Sequence, residues 1–127
     1  MGFAPRLVSL VALLAAQFCA PAQASDYEVG ESLVCDTQGQ VERFVAHFTG
    51  DAPAAVRTVN TEEHNPGACA IVNVAYMRGP SIGMVRHGEN AFEIVRILVI
   101  GVESADGIRP VQPSAFFSLF SVKEYAI

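Results

Sequence analysis

The sequence predicts an α+β domain: one or two N-terminal helices packed on a strongly curved antiparallel β-meander, bending towards a partly closed, SH3-like barrel. Three observations predict it. Residues 91–103 are β-branched and apolar on both period-two faces, with Phe92, Ile94, Leu98, Ile100 and Val102 on one and Val95, Ile97 and Val99 on the other. Such a strand must be covered twice, either between helix and sheet or inside a sheet that folds back over itself. Ahead of it the apolar period is helical from Val41 to Val59, and it becomes strand-like from Ala68 onward. Beyond it, Asp106-Gly107 is a hairpin dipeptide that returns the chain antiparallel.

Residues 1–24 read as a secretory signal peptide. Arg6 supplies the positive n-region, residues 7–16 are apolar except for Ser9, and Ala22-Gln23-Ala24 is a cleavage site. About 12 apolar residues are too few for a membrane core that needs roughly 20. Phe18 stands where a lipobox requires a small residue, so Cys19 belongs to the discarded peptide. Cleavage after Ala24 leaves residues 25–127 as a single secreted domain, large enough to bury its own core. Losing Arg6 leaves 7 basic against 13 acidic residues, a net charge of −6 with a single Lys. That balance argues against nucleic acid and against an anionic membrane surface as partners.

Cys35 and Cys69 remain in a chain bound for an oxidising compartment, with no C-x-x-C spacing. One structural disulfide is the expected state.

In chain order, residues 25–31 are polar and acidic, and fraying is expected up to about Gly30. Ser32-Leu33-Val34-Cys35 reads as a short strand or as an apolar lead-in to a helix. Thr37 and Gln40 form a capping box, and Val41, Phe44, Val45 and Phe48 follow as one apolar stripe that Gly50 ends. Asp51 caps a second, shorter helix with Pro53 in its first turn and Ala52, Val56 and Val59 as a narrow apolar face. Asn65-Pro66-Gly67 is a turn. Residues 68–77 alternate as a strand, Arg78-Gly79-Pro80 breaks it, residues 81–86 form a separate short strand, and residues 87–90 turn into the central strand. Pro110 and Pro113 mark the return piece, residues 108–112, as irregular or at an edge. Residues 115–123 are a last, aromatic-rich strand. The stripe of the first helix is expected to pack on Val95, Ile97 and Val99, or on the opposite face of that strand.

No residue pattern announces catalysis. His47, His64 and His87 have no H-x-x-x-H spacing, so no metal site is assigned, and G-x-S-x-G, G-x-G-x-x-G and P-loop motifs are missing. No catalytic residue and no cofactor is assigned. Glu93, Glu103, Asp36 and Asp51 could form a carboxylate pair only through the fold. Arg96 interrupts the apolar face of the central strand, so it is either paired or snorkelling; a structural partner such as Glu124 on the last strand, or an acidic group from the N-terminal segment, is expected ahead of an anionic ligand. Arg78, Arg86 and Arg96 are the one basic grouping in an acidic domain, and they form the candidate ligand-binding set for a small anionic ligand or an acidic protein partner. The expected function is a non-enzymatic periplasmic binding or protein-interaction module. The alternative is a small periplasmic hydrolase or metal-dependent enzyme, which requires two histidines, or a histidine and a carboxylate, to meet in one cleft.

Through Val34-Cys35-Asp36-Thr37, Gly67-Ala68-Cys69 and the terminal stretch from Ala115-Phe116-Phe117-Ser118 to Glu124-Tyr125, the mature part resembles short exported proteins of unknown function from alphaproteobacteria. The resemblance implies a periplasmic location. It brings no activity, cofactor or site residue.

Overall fold

Capping chemistry and turn dipeptides set the element order of the computed structural model, which describes residues 27–122. The elements are β1 (Tyr27–Cys35), α1 (Gln38–His47), α2 (Ala52–Glu62), β2 (Cys69–His87), β3 (Asn90–Ser104) and β4 (Gly107–Val122). The four strands pair antiparallel in the ring β1-β2-β3-β4, and the two helices pack against the sheet. This is the α+β class with a curled, partly closed sheet. Residues 1–24, read above as a signal peptide, and Glu124 lie outside the described residues.

Local signals act as read. The Thr37 hydroxyl accepts from the backbone N–H of Gln40 at 3.2 Å, and the Gln40 side chain accepts from the Thr37 N–H at 3.0 Å, so the capping box is complete. Asp51 caps α2 by accepting from the Ala54 N–H at 3.1 Å. Two details differ. The cap that ends α1 is Phe48, and Gly50, at φ 106°, turns the chain into Asp51 instead. The second helix is the longer of the two, with Ala55 and Val59 as its buried residues.

The strands depart further from expectation. β1 begins at Tyr27 because β2 offers it a continuous partner, nine rungs from Tyr27 opposite Met77 to Cys35 opposite Cys69. Pairing of that length organises a segment whose composition alone would leave it frayed. Arg78-Gly79-Pro80 does not break β2. The ladder skips from Arg78 opposite Ile97 to Ser81 opposite Val95, so Pro80 sits in a bulge, where its missing N–H removes no ladder bond. Gly79 is required there, since a Cβ would stand 2.6 Å from the Arg96 carbonyl oxygen. β4 also runs through both prolines: Pro110 is laddered opposite Gly101, Pro113 falls in the bulge of residues 111–113 opposite Ile100, and the whole first half is exposed. At the seam of the ring, the described pairing between β1 and β4 is Cys35 opposite Phe117.

The core has two parts, one on each face of the sheet. Val41, Phe44 and Val45 of α1 and Ala55 and Val59 of α2 pack with Leu33, Ile94 and both cysteines. On the inner face Val74, Tyr76, Val95, Ile97 and Val99 pack together, with Phe116 and Phe120 against them. β3 therefore serves both cores, and the α1 stripe meets the face opposite Val95, Ile97 and Val99. Cys35 and Cys69 form the disulfide, with Cα atoms 4.1 Å apart. Closing a loop with a sequence separation of 34 stabilises by roughly 3.5 to 4 kcal/mol in the chain-entropy account.

Asn60 completes the join between α2 and β2. Its amide donates to the carbonyls of Pro66 and Cys69, both at 3.0 Å, and its Oδ1 accepts from the Cys69 N–H at 2.8 Å. One side chain thus satisfies both backbone groups of a buried cysteine, as a neighbouring strand would.

Candidate functional site: the uncovered half of the sheet

The helices cover only part of the outer face. Alternation from Leu33 and Cys35 puts Tyr27, Val29 and Glu31 on the helix side of β1, and their partners Met77, Ala75 and Asn73 on the same side of β2. In register, Tyr27, Met77, Leu98 and Ala115 then form one outward row across all four strands. Beside that row stand Val29 and Ile108, the latter lying over Gly101, where a Cβ would be 2.7 Å from its Cγ2. Tyr27, Val29, Met77, Leu98 and Ile108 are between 37% and 50% exposed, so the row is open to solvent. At its edge the β2 bulge shapes a shallow groove of about 280 Å³ lined by Met77, Arg78, Pro80, Arg96, Leu98 and Ala115, among others.

Arg96 and Arg78 thus reach one groove, but they do different things. The structure corrects the expectation that Arg96 sits within the apolar core. It is exposed, because it stands where helix cover ends, and its side chain is open to solvent. It has no ion pair among the described residues. Arg78 is held instead: its Nη2 and Nε donate to the two oxygens of Glu28 at 2.9 and 3.0 Å, and its guanidinium lies 3.7 Å from the centre of the Phe120 ring. The Tyr76 hydroxyl donates to the same Glu28 at 3.3 Å. Hydrogen bonding to Arg78, with its charge, holds the Glu28 carboxyl below its ordinary range, and the same contact raises Arg78. Arg86, opposite Ala91 near the β2–β3 turn, is eight residues further along β2, on the order of 20 Å away, and is engaged in an interaction of its own. It does not line the groove.

The histidines occupy three separate places. His47 Nε2 lies 3.0 Å from Glu62, joining α1 to α2. Around this pair Arg43 donates to Glu63 at 3.0 Å and Gln40 donates to Glu63 at 2.8 Å. A histidine and a carboxylate do meet, but their side chains are 36% and 40% exposed on the helix surface, and the shallow open groove that Glu62 borders with Ala54, Arg57, Thr58 and Thr61 is not lined by His47. His64, at φ 52° after α2, lines a wide groove with Arg57, Asn60, Thr61, Asn65 and Pro66, and no carboxylate borders it. His87 closes β2 at the hairpin. Among the described residues no group of three His, Cys, Asp or Glu is placed to hold a metal ion.

A second concavity lies at the covered end of the sheet. Phe44, Val45, Phe48, Ala52, Phe92 and Leu119 enclose a recess of about 150 Å³. Neither it nor the exposed row was legible as a site from residue order, since each is assembled from distant elements. The signal for the row was the alternation Tyr27, Val29, Glu31, Leu33, which reads as strand once its polar neighbours are discounted. Among the described residues no helix is long and apolar enough to cross a membrane. No protein-family model, curated protein or solved structure matches the chain.

Proposed function

We propose that the chain is an exported, non-enzymatic binding module that holds a protein partner on the uncovered half of its sheet. Export to the periplasm or beyond, with cleavage after Ala24, is supported by the signal-peptide pattern and by a cystine that persists in an oxidising compartment. The observation that carries the binding reading is the exposed row Tyr27, Met77 and Leu98 with the Arg96 guanidinium at its edge. A contiguous apolar surface with a charged rim is the composition of a recognition surface. The partner is a segment that presents apolar side chains beside a carboxylate. A protein fits better than a small anion. With Arg78 committed to Glu28 and Arg86 remote, one solvated guanidinium in an open groove would hold a small anion only weakly. The hydrolytic alternative has less support, because the groove that Glu62 borders with Arg57, Thr58 and Thr61 is shallow and wide open, and His47 does not line it.

A photo-crosslinking residue at position 98, compared with one at Thr58 on α2, tests this in exporting cells. Position 98 should capture one discrete protein on a form whose intact mass lacks residues 1–24. Arg96→Glu should lower the capture about tenfold, as expected for losing one charge-assisted contact. The same adducts from both positions, or none from position 98, would overturn the proposal.

A further inference from the structure

We propose that the recess at the end of α1 is a binding site for one small uncharged hydrocarbon group, either a ring of benzene size or the last carbons of an alkyl chain. Its floor is Phe44 and Val45, both buried, and its rim is Phe48, Ala52, Phe92 and Leu119, all partly exposed. The floor is therefore shielded while the rim admits a guest. All six lining side chains are hydrocarbon, so none can hydrogen-bond a water or a polar ligand. A closed apolar cavity of this size, engineered in another protein, takes up benzene or xenon. Here about 150 Å³ matches that volume, and it falls below the 300 to 1,000 Å³ typical of pockets for larger molecules. Phe44 and Phe48 stack with ring centres 5.6 Å apart, which gives one wall a pair of aromatic faces. Ala52 makes the room: it is the first residue of α2, and no bulkier side chain fills the space beneath it. The site is separate from the uncovered row, so its success or failure is independent of the partner-binding proposal.

The guest has two sources, a free small molecule or the end of a lipid chain, and two probes separate them. The oxidised mature protein is titrated with benzene, and in parallel with an alkyl maltoside below its micellar concentration, while methyl and aromatic resonances are followed. The expected result is saturable, one-to-one shifts at Phe44, Phe48, Phe92 and Leu119 with at least one probe, and none at Met77 or Leu98. Tighter binding of benzene assigns a free small molecule, and tighter binding of the alkyl probe assigns a chain terminus. Ala52→Leu should fill the recess and weaken binding at least tenfold, with Leu119→Phe as the second filling variant should the first fail to fold. Leu98→Asp should leave binding unchanged. Absence of saturable shifts with both probes overturns the site, as do undiminished shifts in a folded filling variant.

Discussion

Ile94 and Leu98 lie on the same strand and point to the same side of it, yet Ile94 is fully buried and Leu98 is 37% exposed. Their intrinsic hydrophobicity is alike, so the difference comes from what lies above them. Helices of ten and eleven residues each span about 15 Å, whereas a strand as long as β2 spans on the order of 60 Å when extended. Two such helices cover one end of the face and leave the other bare. Arg96 stands between the two residues and marks the boundary. Burial on a long strand is thus set by the reach of the covering layer, and an apolar residue beyond that reach becomes available for contact with another molecule.

Truncating each residue in turn tests whether helix cover sets its burial. Ile94→Ala should cost roughly 2 to 5 kcal/mol of unfolding free energy, while Leu98→Ala should cost less than about 1 kcal/mol, each read from urea denaturation. Equal losses would mean that the two ends of the face are covered alike. Asn60→Ala is a smaller perturbation confined to the covered end. It strips partners from the N–H and the carbonyl of buried Cys69, with an expected loss of about 1 to 3 kcal/mol. A near-neutral result would show that water replaces the amide.

The smallest effect belongs to the uncovered end and depends on pH. Glu28 titrates below the ordinary value of 4.5 in the folded chain because it accepts from Arg78, so the unfolded chain takes up its proton first as the pH falls. The contribution is therefore complete above that ordinary value and disappears as the pH falls through the lower folded value. Both partners are roughly half exposed, so it should stay under about 1 kcal/mol and shrink with salt. The stability difference between the parent and Glu28→Gln should be present near neutrality and vanish in acid. A difference that persists unchanged into acid would assign it to something other than the charge pair.

What could be read before folding was chemistry that acts over a few residues. Thr37 with Gln40, Asp51 with Pro53, and Asp106-Gly107 each specify their local geometry through neighbours in the chain, and the fold uses all three. The disulfide was legible from the expected export and the even cysteine count of residues 25–127. Arg78-Gly79-Pro80 misled because a bulge is defined by the partner strand: whether Pro80 ends β2 depends on Val95 and Ile97 across from it. Arg96 misled for a related reason. Its environment depends on where α1 and α2 stop, a distance along the sheet that residue order does not express. The same holds for the candidate sites, since Leu98 differs from Ile94 only in the reach of the helices, and Phe48 meets Leu119 only after the ring has curled.

Among the described residues the ring is joined at its seam through Cys35 and Phe117, and no strand is laddered to the outer edge of the early part of β4. Such an edge is a template on which other chains can stack into fibrils. Pro110 and Pro113 blunt that template, because neither has an N–H to offer and the bulge at residues 111–113 spoils the regular spacing a stacked strand requires. The two prolines that make β4 irregular therefore allow an acidic, partly open barrel to display its apolar row without recruiting other chains edge to edge into insoluble aggregates.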